Sequence, residues 1–126
     1  MYKLALIGMG GLLGTLCRYT ISVAVDERTQ SSFPFGTLFV NVLGSFAAGF
    51  LFHWIEGTAI SPDMRLAVFT GFLGGFTTFS AYALQTDTLS HNGMLSAAAL
   101  NVVLSNLLAL ISVWAGSSAS RSLFER

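Results

Sequence analysis

Four long apolar stretches separated by short polar connectors run through this chain, and they leave few folds open to it. By hydropathy they cover residues about 4–25, 36–55, 66–84 and 95–116, each close to the roughly 20 residues an α-helix needs to cross a bilayer. Four crossings use about 80 positions of the 126 available, so no separate soluble domain fits. Only 10% of the residues are charged, where an ordinary soluble domain has about 25%; a water-facing surface cannot be covered with so few. The chain therefore reads as one four-helix domain over residues 1–126, an all-α integral membrane protein embedded in lipid. Six Lys and Arg balance six Asp and Glu, which removes the positive footprint of a nucleic-acid binder. Cys17 is the only cysteine, so there is no internal disulfide and no metal-binding spacing.

The connectors are short. Asp26 to Pro34 holds a charge cluster and a proline, Glu56 to Arg65 contains Ser61, Pro62 and Asp63 as a cap for the third helix, and Asp87, Ser90, His91, Asn92 and Gly93 form a polar turn. The tail from Ser117 to Arg126 reads as interfacial or frayed. Lys3 and the apolar run to Cys17 resemble a secretory leader, but Arg18 interrupts the run and no small-x-small cleavage site follows. With four crossings both ends share a side that carries Lys3, Arg65, Arg121 and Arg126, against Arg28 on the other. This count points both ends to the cytoplasm, by a margin small enough to leave insertion in both orientations open.

Polar side chains inside hydrocarbon are expensive unless they are paired or line a wet path. Arg18, the one full charge deep in a span, either draws anions toward a vestibule or snorkels and binds exposed carbonyls. Gly10 and Gly14 form a small-xxx-small pair that implies a closely packed partner helix. On the second helix, Asn41, Gly44, Ser45 and Ala48 fall on one narrow face. The amide of Asn41 can donate to a dehydrated anion or join two helices. The third helix places Gly71, Gly74 and Gly75 just before Phe76, Thr77, Thr78, Phe79, Ser80, Ala81 and Tyr82. Such a run predicts a break near mid-membrane, where freed carbonyls can hold a cation. Phe79 and Tyr82 then share a face, and ring edges, being electropositive, can meet an anion. On the fourth helix Asn101, Ser105 and Ser112 make a polar stripe, with Asn106 off it. No Asp or Glu lies within any of the four stretches, whereas a proton- or cation-coupled exporter usually needs a carboxylate there. Closely spaced neutral donors suit a small anion, whose dehydration costs of order 20 kcal/mol in the idealised Born picture.

Three stretches, Gly14 to Tyr19 (GTLCRY), Gly36 to Phe46 (GTLFVNVLGSF) and Thr70 to Ser80 (TGFLGGFTTFS), together with the serine stripe of helix four, resemble the Fluc family of bacterial fluoride channels over essentially the whole chain. The resemblance implies an antiparallel homodimer of four-helix subunits with the third helix broken, two fluoride pores and a central sodium ion, in the bacterial cytoplasmic (inner) membrane. By motif position, Asn41 resembles the family's pore asparagine and Phe79 the first of two phenylalanines whose edges meet fluoride. Tyr82 stands at the second. Thr78, Ser80 and Ser105 resemble the polar track, and Asn101 occupies a place where a tyrosine is often found. The carbonyls of Gly74 and Thr77 resemble those that hold sodium, and Arg18 the vestibule arginine. The implied activity is passive fluoride export without catalysis. Two other readings share the size and plan: a small multidrug or cation exporter, and a non-conducting partner subunit of a heterodimeric channel.

Overall fold

The first span is longer as a helix than as an apolar run. In the computed structural model, which describes residues 1–124, α1 covers Tyr2–Thr29 and so includes Asp26, Glu27 and Arg28. Hydropathy marks where hydrocarbon ends, but the backbone stays helical until Gln30. That residue adopts the left-handed conformation (φ 47°) and donates its N–H to the Asp26 carbonyl. The Asp26 carboxylate accepts from the Gly36 N–H at 2.8 Å, satisfying an otherwise orphaned donor in the first turn of α2, Phe35–Glu56. The connector is thereby reduced to residues 30–34.

Ser61 does cap the third span: its hydroxyl accepts from the Met64 N–H at 3.3 Å, with Pro62 in the first turn. From there α3 (residues 62–76) passes through Pro62–Leu66, a π-helical turn over Ala67–Leu73, and Gly74–Phe76. Thr77 and Thr78 are extended, with ψ of 156° and 116°. Helical backbone resumes as α4, Phe79–His91. Gly93, at φ 76°, allows the reversal into α5, and Met94 donates back to the Leu89 carbonyl. Helix α5 runs over Leu95–Phe124, so Ser117 to Phe124 continues the helix instead of fraying from it. The described residues form four spans long and apolar enough to cross a membrane and contain no strand. Arg126, counted above for orientation, lies outside the described residues.

Glycines set the packing. The Gly10 and Gly14 pair meets α3: a Cβ on Gly10 would run into the Ala67 carbonyl, and one on Gly14 into the Phe72 carbonyl. The fit is reciprocal, since a Cβ on Gly75 would lie 2.6 Å from the Gly11 carbonyl and one on Gly71 2.7 Å from that of Ile7. Contacts advance together along both helices, so α1 and the third span run side by side in the same direction. Helices α2 and α5 form a second such pair through Gly49 against Val113 and Gly116 against Phe46. At the end of that pair the Nη2 of Arg121 donates to His53 Nε2 (3.1 Å), which leaves the proton on Nδ1 for Glu56, 3.2 Å away. Lys3 reaches Asp63 at 3.1 Å, placing the amino terminus and the second connector at one end of the bundle, as an even number of crossings requires.

Candidate functional site

An interruption in a membrane helix strands peptide groups that hydrocarbon cannot solvate, so their partners must be found within the protein. The Thr78 N–H donates to Asn41 Oδ1 at 2.8 Å and the Thr78 carbonyl accepts from Asn41 Nδ2 at 3.0 Å. One side-chain amide on α2 thus replaces both halves of a lost backbone pairing. This uses one of the two Asn41 N–H groups and leaves the other available. Gly44, one turn along α2, makes room: a Cβ there would press on Thr77 and, at 3.0 Å, on the Phe76 ring.

The same rearrangement frees two carbonyls. In an unbroken helix the Gly74 carbonyl would accept from the Thr78 N–H, and that of Thr77 from the Ala81 N–H. Here the Thr78 N–H goes to Asn41, and the Ala81 N–H goes to the Thr78 hydroxyl at 3.2 Å, the N-cap of α4. Both carbonyls have therefore lost their helical donors. Between them in sequence, the Gly75 carbonyl accepts from Arg18 Nε at 3.1 Å. Arg18 is half-buried and acts here on a carbonyl of the break; it does not line the groove described next.

Facing α4, helices α2 and α5 enclose a groove of about 510 Å³. Asn41, Thr78, Phe79, Tyr82, Ser105 and Asn106 all line it, as do Gly74 and Thr77. Among the described residues its lining contains no Asp, Glu, Lys or Arg. The Phe79 and Tyr82 ring centroids are 5.2 Å apart with planes inclined at 57°. The two rings differ in setting: Phe79 is 76% exposed and Tyr82 only 8%. Ser80, expected in the polar track, does not line the groove; it is exposed, its hydroxyl 3.3 Å from that of Thr78.

Asn101 is placed behind this wall and does not line the groove. It is 1% exposed, with Nδ2 donating to Thr86 Oγ1 at 2.8 Å and Oδ1 accepting from the Ser105 hydroxyl at 3.2 Å. Thr86 in turn donates to the Tyr82 carbonyl at 2.8 Å. This chain of bonds joins α4 to α5 and fixes the Ser105 hydroxyl. Asn101→Leu would leave Thr86 and Ser105 short of a partner in a dry setting, a loss of about 2 kcal/mol. A lowered midpoint of thermal unfolding in detergent is the expected reading, and an unchanged midpoint would mean the clip contributes little.

Asn106 is the groove residue that the stripe pattern leaves out, because it lies about 100° round the helix from Ser105. Its Nδ2 donates to the Val102 carbonyl at 2.7 Å and to the Tyr82 hydroxyl at 3.2 Å. The signal available in the sequence was the tyrosine itself, since a buried phenol needs a hydrogen-bond partner. Taken together, the groove offers amide and hydroxyl donors beside aromatic rings, a chemistry that can replace lost water around a small anion.

Comparison with known proteins gives the family. The family described as CrcB-like protein, Camphor Resistance (CrcB), matches residues 5–117. A relative from Geotalea daltonii is 39% identical over 122 residues, covering 96% of this chain and 98% of its own length. One from Rhizobium meliloti is 40% identical over 124 residues, covering 98% and 99%, and one from Parabacteroides distasonis is 44% identical over 116 residues, covering 92% and 91%. All three bear the name fluoride-specific ion channel FluC.

Proposed function

Since the chain belongs to the CrcB-like family, we propose that it is a fluoride channel of the bacterial cytoplasmic membrane, conducting passively and without catalysis. The observation that carries this reading is the groove: neutral donors and aromatic rings meet at the depth of a helix break, with no acidic or basic side chain in the lining among the described residues. Fluoride binds its hydration water strongly, and the second N–H of Asn41 and the phenol of Tyr82 present hydrogen-bond donors in its place. A fixed cation in the groove would trap the ion; a carboxylate would repel it. The same missing carboxylate removes what a proton-coupled cation exporter needs. Fluoride enters acidified cells as neutral HF and is held inside as the ion, so a potential negative inside drives it outward.

The working unit in this proposal is two copies in opposite orientations. Two features support it: the modest charge asymmetry between the ends, and the exposure of Phe79 beside a break that lipid cannot solvate. A sodium ion fits the donor set at the centre of such a dimer. The Gly74 and Thr77 carbonyls have lost their helical donors, and hard cations prefer neutral oxygen ligands of this kind. When bound, the ion neutralises freed carbonyl dipoles. The protein's own part is to expose them, through Asn41 and the Thr78 cap.

Proteoliposomes holding purified protein and loaded with fluoride provide the test. Efflux under a potassium diffusion potential is expected to exceed that of protein-free vesicles by orders of magnitude, with chloride retained. Equal passage of the two halides, or no flux from folded protein, defeats the proposal.

A further inference from the structure

Tyr82 carries a hydroxyl whose hydrogen bonding is fixed from one side only. Asn106 Nδ2 lies 2.7 Å from the Val102 carbonyl, which can only accept, so that atom must be the amide nitrogen and not the oxygen. The same nitrogen is 3.2 Å from the Tyr82 hydroxyl, so the phenol oxygen is the acceptor of that bond. Its own proton points elsewhere, and no acceptor for it is found among the described residues. Tyr82 is 8% exposed and lines the groove beside Asn41, Thr78 and Ser105. A buried donor without an acceptor is unfavourable, and an anion in the groove would remove that penalty.

From this geometry we infer that Tyr82 is a specificity-determining residue of this channel: its hydroxyl donates to the permeating anion, and Asn106 positions it by occupying a lone pair of the phenol oxygen. The inference rests on the groove being the fluoride path. A phenol O–H aligned by a second donor favours an ion that accepts strong hydrogen bonds. Fluoride does so far better than chloride, so the pair adds selectivity as well as rate. Asn106 acts only through Tyr82, and its amide is locked on its own helix by Val102.

Three measurements on full-length protein in liposomes test the inference. Wild-type fluoride efflux first establishes the path; its absence from folded protein would overturn both the path and the inference. Given wild-type flux, Tyr82→Phe, which keeps the ring and removes one oxygen, is expected to slow fluoride efflux roughly tenfold and to narrow the preference over chloride. Asn106→Leu should produce a similar loss, and the double variant should be no worse than either alone, as expected for groups acting as a unit. Titrating fluoride into wild-type protein should also give a near-ultraviolet tyrosine difference spectrum that Tyr82→Phe abolishes while Tyr2→Phe and Tyr19→Phe retain it. That signal is independent of transport and of any variant's yield. Wild-type rate and selectivity in Tyr82→Phe, or a fluoride spectrum that survives the substitution, overturns the inference and leaves the fluoride path intact.

Discussion

Asn41→Asp is expected to abolish fluoride flux. The substitution keeps an acceptor for the Thr78 N–H but replaces the donor to the Thr78 carbonyl with a second oxygen. It also sets a negative charge in a groove that holds no compensating cation among the described residues. At a separation of about 4 Å and an effective dielectric of about 20, the repulsion felt by a passing anion is about 4 kcal/mol, roughly a thousandfold in rate. Efflux from proteoliposomes reads this directly, with a monodisperse elution profile confirming that the variant folds. Flux at the wild-type level would return Asn41 to a packing role and remove the amide from the ion's path.

The second large effect is on assembly of the fold. Ala exceeds Gly in helix propensity by about 1 kcal/mol, so a free glycine on α1 should tolerate Ala well. Gly8, with nothing within 4 Å of its would-be Cβ, is such a position. Gly14 is the opposite case: its Cβ would strike the Phe72 carbonyl and lie 2.9 Å from the Phe76 nitrogen. Those are backbone atoms of a neighbouring helix and cannot rotate away, so separation of α1 from α3 is the only relief. Gly14→Ala is expected to destabilise by about 3 kcal/mol, the upper range for overpacking, while Gly8→Ala is neutral or better. Unfolding midpoints in detergent for the two variants measure the contrast. Equal midpoints would show that the glycine seam contributes little to holding these helices together.

The spans were legible because hydrocarbon imposes a strict length and sequence records it directly; their helical limits were not. Asp26 to Thr29 and Ser117 to Phe124 are polar enough to end a hydropathy window, yet nothing in them stops a helix until Gln30 turns left-handed. Local chemistry carried further where it was self-contained, as in the Ser61 cap. The groove was only partly readable. Asn41, Thr78, Phe79, Tyr82 and Ser105 suggested themselves by residue type and spacing, and the fold brings them to one groove. What periodicity could not show was that Asn41 answers a backbone group 37 positions away. Nor could it show that Asn101 turns inward to Thr86, or that Asn106 reaches across to another helix. Each of these depends on how two helices rotate against each other, which a single helix's pattern does not encode. The π-helical turn over Ala67–Leu73 had no counterpart in the sequence reading.

The amide clasp between Asn41 and Thr78 also constrains how the chain is made. A ribosome delivers the second span to the bilayer before the third, so when the unpaired peptide group at Thr78 emerges, its partner is already in place. Had the order been reversed, the interrupted segment would have had to wait in lipid with its polar groups bare, a state costing several kcal/mol for each of them. The order of synthesis thus spares the newborn polypeptide its least soluble moment.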